Sequence, residues 1–161
     1  MGATNWNQRF FLLAKHVSEW SRDPSTRVGC VIVGTSNEIR AIGYNGLPRS
    51  IEDSPSRLER PQKYAWVEHA ERNAIYAAAR AGVPLEGCRM YVSWFPCIDC
   101  ARAIVQVGIT HIFGIEPDWV SEPWGPQFRT SKTLLEEAGV AVSFINDVGI
   151  AASQRQSSEI L

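Results

Sequence analysis

Two short motifs constrain this chain more tightly than any other feature: His69-Ala70-Glu71, and further on Pro96-Cys97-Ile98-Asp99-Cys100. An imidazole and two thiols are donors suited to a tetrahedral zinc ion, and they act together only if the fold joins the two segments. Residues two apart on an ideal helix point about 200° away from each other, so His69 and Glu71 share a site only in a first turn, where the approach of the chain still varies. Cys97 and Cys100 fit the start of the helix after Pro96, where free backbone donors and the helix dipole favour thiolates. Two helix starts are therefore expected to converge on one metal.

The flanking sequence supplies a frame for that convergence. Phe10, Leu13, Val17 and Trp20 follow Trp6 at helical spacing, with Asn5 as cap. Val28 to Val33 and Ile39 to Tyr44 read as antiparallel strands joined by a short turn. From Leu47 to Gln62 the chain is polar and broken by Pro48, Pro55 and Pro61, which predicts a loop beside the chemistry. His69 to Ala81 returns to helical spacing, with Ala70, Ala74, Ile75 and Ala78 as its apolar face and Gly82 and Pro84 as its stop. Strands are predicted at Met90 to Ser93, His111 to Ile115 and Val140 to Ile145, with helices over Ala101 to Val107 and around Ser131 to Ala138. Helices between the last three strands favour parallel crossovers, whereas the first pair is a hairpin. The expected fold class is α/β, a three-layer α/β/α domain with a mixed five-stranded sheet. At 161 residues and 45% hydrophobic composition, one domain over residues 1–146 has enough material for a core. The polar residues 147–161 are expected to form a tail or an oligomer arm, with no separate domain.

Sixteen Lys and Arg against seventeen Asp and Glu leave a net charge of -1, so no global basic field announces extended nucleic acid. A small anionic metabolite is the easier partner. Four cysteines are too few for a disulfide scaffold, which favours a reducing compartment. No basic-apolar leader is evident, and no apolar run approaches the roughly 18 residues of a membrane span, so cytoplasm without membrane association is expected.

The chemistry follows from the donor set. His69, Cys97 and Cys100 leave a fourth zinc position open, and zinc lowers the pKa of a bound water from about 15.7 to about 7. Glu71 is then the proton shuttle, the arrangement of hydrolytic nucleobase deamination. Singly, a histidine before a helix is usually a cap or surface residue, and C-x-x-C can be redox-active. A closed structural zinc site needs another donor, but Cys30 and Cys88 sit among Val, Ile, Met and Tyr and read as small core residues. A non-catalytic zinc-binding interaction module is the competing class, and Glu71 beside an open position stands against it.

The segments Arg22-Asp23-Pro24-Ser25-Thr26-Arg27-Val28-Gly29-Cys30, Gly43-Tyr44-Asn45-Gly46-Leu47-Pro48-Arg49, Val67-Glu68-His69-Ala70-Glu71 and Phe95-Pro96-Cys97-Ile98-Asp99-Cys100 resemble the cytidine deaminase superfamily, most of all the deoxycytidylate (dCMP) deaminases. The resemblance spans most of residues 9 to 145. It implies zinc on His69, Cys97 and Cys100, proton transfer by Glu71, and hydrolysis of dCMP to dUMP and ammonia. Another free cytosine- or purine-type base, nucleoside or modified nucleotide is the neighbouring alternative. It further implies that Asn45 holds the sugar, that the Ala70 backbone reads the base edge and that Phe95 covers the base. Strand alternation argues against Trp94 and Phe95 both facing the pocket. Arg22 and Arg27, with Ser25 and Thr26, are the expected phosphate contacts. A homo-oligomer, and control by dCTP and dTTP with Mg2+ accompanying the nucleotide, also come with the resemblance. Arg72 departs from it, standing where an apolar residue is common, and a salt bridge across an oligomer is one expectation for it. Trp119 and Trp124 are a second departure, expected to reshape a pocket or seal an interface.

Overall fold

Gly29–Val33 (β1) is buried along its whole length, the pattern of a strand packed on both faces at the centre of a sheet. The structure is a computed structural model and describes residues 5–145. In chain order, α1 (Trp6–Ser18) precedes β1, and β2 (Ile39–Tyr44), α2 (Pro55–Leu58), α3 (Lys63–Trp66) and α4 (Ala70–Ala81) follow it. Then come β3 (Arg89–Val92), α5 (Ile98–Gln106), β4 (His111–Gly114), α6 (Trp124–Glu137) and β5 (Ala141–Phe144). The strands form one sheet in the order β2-β1-β3-β4-β5. β1 is antiparallel to both β2 and β3, while β3, β4 and β5 run parallel. The mixed sheet and its three layers match the expectation.

Period-two alternation divides the core. Val31, Val33, Tyr91 and Phe113 face α1 and meet Phe10, Phe11, Ala14 and Val17. Cys30, Ile32, Met90, Val92 and Ile112 face the opposite layer, where α4 contributes alanines, α5 contributes Ile104 and α6 contributes Phe128 and Leu135. Asn5 caps α1 as expected, its Oδ1 accepting from the Gln8 amide at 3.1 Å. The face that α1 buries is shifted from the predicted stripe: Phe11 and Ala14 are fully buried, whereas Trp6 and Trp20 are about half exposed.

Two glycines set the helix-to-sheet distances. A Cβ on Gly29 would overlap the Ala14 carbonyl of α1, and one on Gly43 would overlap the Ala70 carbonyl and Ala74 amide of α4. Backbone contact this close keeps α4, the helix that opens with His69, flat against β2.

The 47–62 stretch departs from the expected loop because it holds a helical turn, α2, and α3 follows directly. Pro55 occupies the first helical position, where its missing N–H leaves no bond unmade. Helix α6 begins seven residues before the predicted start, at Trp124. Pro126 lies in its first turn, where amide donors have no intrahelical partner in any case, so proline does not stop it. The predicted tail at 147–161 lies outside the described residues. Among those described, no helix is long and apolar enough to cross a membrane.

Gly43→Ala should lower stability by about 1–3 kcal/mol through overpacking against backbone that cannot swing aside. Denaturant unfolding checks this, and a chelator competition on the same variant should show weaker zinc retention because α4 is displaced.

Candidate active site

His69 is the N-cap of α4 and Cys97 the N-cap of α5, each in extended conformation. Neither uses its side chain to cap the helix, so the imidazole and the thiol turn toward each other. Cys100 lies in the first turn of α5. The Cys97 and Cys100 sulfurs lie 3.3 and 3.5 Å from His69 Nδ1. Tetrahedral zinc, with bonds of about 2.05 Å to nitrogen and about 2.3 Å to sulfur, separates such atoms by about 3.6 Å, so the donor set fits the metal closely. Among the described residues no fourth His, Cys, Asp or Glu joins this group. Cys30 and Cys88 are buried in the core, as the sequence indicated.

The electrostatics suit a cation. The Cys97 thiol is held down to about 4 by the hydrogen bond from Cys100, helped by His69 against the opposing effect of burial. The same hydrogen bond, which Cys100 donates to the Cys97 sulfur, pushes Cys100 up together with burial. One thiolate and one thiol thus share a proton that a metal displaces. Glu71, on the residue after Ala70 and fully inside, is pushed up to about 7, chiefly by burial and against the pull of His69.

Arg72 ties the two helix starts together. Its Nε donates to Glu68 Oε1 at 2.6 Å, and that oxygen also accepts from the His69 amide at 3.0 Å. The same guanidinium reaches Asp99, between the two cysteines, at 3.7 Å. The departure at Arg72 therefore has an intrachain account: it bridges α4 and α5 beside the ligands.

His69 and Cys97 form the floor of a cavity of about 160 Å³ whose lining includes Thr26, Val28, Asn45, Ala70 and Glu71, with Cys100 buried behind them. Residues 4–115 match the family model for the cytidine and deoxycytidylate deaminase zinc-binding region. The chain belongs to the cytidine and deoxycytidylate deaminase family. An Aliivibrio fischeri protein, named an uncharacterized deaminase in the luxG 3' region, is 42% identical over 144 residues, 88% of this chain and 95% of the relative. The deoxycytidylate deaminase of Pongo abelii is 38% identical over 141 residues, 84% of this chain and 76% of that one. A solved dCMP deaminase from cyanophage S-TIM5, in complex with dCMP and dUMP, shares the fold with a TM-score of 0.71 at 21% identity, covering 90% of this chain and 100% of that chain.

The deaminase cavity sorts the expected substrate contacts. Asn45, Thr26, Ala70 and Phe95 lie on its wall. Arg22, Arg27 and Ser25 do not: Arg22 pairs with Asp53 at a separate groove, and exposed Arg27 donates back to the Asp23 carbonyl. Ser25 is drawn into a hydrogen-bonded turn with Asp23. Of the segment between the arginines, Asp23 and Thr26 face the cavity, whereas Pro24 lines the separate groove with Arg22. Trp94 and Phe95 both line it, because β3 ends at Val92 and strand alternation no longer governs them. Trp124 also lines the wall, and Trp119 packs edge-on behind Phe95, so both tryptophans shape the pocket. Asp23, Arg60, Lys63, Tyr64, Val67 and Phe128 were not anticipated. Asp23 sits in the quoted Asp-Pro-Ser-Thr segment, but nothing local announces that Lys63 would be buried against it.

That pair anchors one wall. Lys63 Nζ donates to Asp23 Oδ2 at 2.6 Å and to Ser25 Oγ at 2.8 Å, and the side chains are 10% and 1% exposed. Asp23 Oδ1 accepts from the Ser25 and Thr26 amides. Asn45 completes the network, its Oδ1 accepting from Val28 N at 2.7 Å and its amide donating to Thr26 O at 2.8 Å. Burial would raise the Asp23 pKa, but Lys63 and the two amides outweigh it and hold the carboxyl below 3.8.

Lys63→Met should cost about 3–5 kcal/mol at neutral pH by leaving Asp23 buried without its cation. Because Asp23 is depressed in the folded state, its contribution is full above 3.8 and is lost as pH falls through the folded value. Denaturant melts of the wild type and the variant should therefore differ at neutral pH and converge in strong acid.

Proposed function

We propose that this chain hydrolyses dCMP to dUMP and ammonia, with zinc as cofactor. The observation that supports it most is the grouping of His69, Cys97 and Cys100 at a cavity that His69, Cys97, buried Glu71 and Asn45 line together. Relatives named deoxycytidylate deaminase, one of them 38% identical over 84% of the chain, favour dCMP within the family. Zinc held by the triad supplies Lewis acidity that makes water nucleophilic at neutral pH.

The chain's own residues do the rest. Glu71 takes one proton from water and passes it to the ring nitrogen as C4 becomes tetrahedral, then takes the remaining proton from the hydroxyl on C4 and delivers it to the departing amine. One water is consumed and one ammonia leaves, so the carboxylate returns to its starting state. The Ala70 backbone at the start of α4 faces the cavity beside Glu71 and reads the base edge, while Phe95 covers the ring. The second lone pair of Asn45 Oδ1 remains for a sugar hydroxyl beside its bond to Val28 N. Phe95 is held for this by edge-on contacts with Trp119 and Phe128. Assembly into a homo-oligomer and control by dCTP and dTTP with Mg2+ are carried in this reading from the family resemblance, and a cytoplasmic setting from the cysteine usage.

A substrate panel of dCMP, deoxycytidine, cytidine, cytosine and a cytosine-containing oligonucleotide tests the reading, run with and without dCTP, dTTP and Mg2+. The highest kcat/KM should belong to dCMP, and preference for an unphosphorylated compound would reject the assignment while leaving deamination standing. Glu71→Gln should retain zinc and fold but lose about 10²–10⁴ in kcat, the usual worth of a positioned proton carrier. Unchanged turnover would remove Glu71 from its role.

A further inference from the structure

We infer that Arg60 is the residue by which this chain recognises the 5'-phosphate, and so selects a mononucleotide over a nucleoside; this rests on the proposed deamination of dCMP. The cavity has polarity. Its floor carries His69, Cys97 and Glu71, where the reacting ring must lie, and its exposed rim carries Arg60, Tyr64 and Trp94. A nucleotide placed with its base on the floor and its sugar at Asn45 directs the phosphate outward to that rim.

Only two cationic side chains line the cavity among the described residues, Arg60 and Lys63. Lys63 is committed to Asp23 and Ser25. Its charge neutralises a buried carboxylate, and lending it to a phosphate would leave Asp23 uncompensated. Arg60 is exposed and makes no hydrogen bond or ion pair among the described residues. Of the other cations on neighbouring segments, Arg22 pairs with Asp53, Arg57 with Glu52 and the Trp66 ring, and Arg72 with Glu68 and Asp99, while Arg27 and Arg49, like these three, do not line the cavity.

A guanidinium that stays free until substrate arrives, at the rim of a cavity whose floor holds Glu71, suits a phosphate dianion. Its rigid planar fork matches two phosphate oxygens in parallel, a geometry an ammonium lacks. Placement on the short segment between α2 and α3, directly before Pro61, gives it a defined start from the same segment that supplies Lys63.

The test compares kcat/KM for dCMP and for deoxycytidine in the wild type and in Arg60→Ala, Arg60→Lys and Arg60→Glu. Arg60→Ala should shrink the preference for dCMP by about tenfold or more, the usual worth of a charge-assisted contact, through KM and not kcat. Arg60→Lys should recover part of it, and Arg60→Glu should lower it further. Raising salt should raise the wild-type KM for dCMP more than that of Arg60→Ala. A wild type that prefers dCMP while Arg60→Ala keeps the ratio within twofold overturns the inference and spares the parent reading. A wild type without preference for dCMP overturns both. Faster turnover of a cytosine-containing single-stranded oligonucleotide, lost in Arg60→Ala, would reassign the arginine and the aromatic rim to a nucleic-acid strand.

Discussion

The meeting of two helix N-termini on one set of donor atoms governs this structure. His69 opens α4 and Cys97 opens α5, and neither side chain is spent on its own helix, so both are free to face a shared point. The surrounding packing serves that geometry. Gly43 admits the α4 backbone onto β2, Ser131 of α6 donates to the Pro96 carbonyl at 2.8 Å, and Arg72 spans from Glu68 to Asp99.

The substrate side is built differently. Its wall is a turn and a short helix, held by the buried Asp23–Lys63 pair and the side chain of Asn45. A second tie runs between Gly29 and Ser93, each of whose amides bonds to the other residue. It joins the start of β1 to the end of β3, where Trp94 and Phe95 enter the cavity. Rigid strands thus set the depth of the pocket, and polar loop contacts set its rim.

The metal centre and the layers were legible because they depend on local patterns. The continuous apolar run in Gly29–Val33, alanine spacing in Ala70–Ala81, and the paired motifs each carry their own signal. The rim was not legible in this way. Arg22 and Arg27 flank a promising turn, yet which part of a turn faces a cavity depends on partners distant in sequence, here Asp53 and Lys63. Lys63 and Arg60 sit in a proline-broken stretch without periodicity, and only tertiary packing tells the buried cation from the free one. Trp94 and Phe95 escape the alternation rule because they lie past the end of β3.

The central claim is a metal held by one imidazole and two thiolates with its remaining position open to solvent or substrate. X-ray absorption at the zinc edge of the purified protein tests it most directly. The account predicts two sulfurs at about 2.3 Å and two nitrogen or oxygen scatterers at about 2.0–2.2 Å, with one sulfur lost in Cys97→Ser. A third sulfur in the shell, or a sulfur count indifferent to Cys97→Ser, would contradict it.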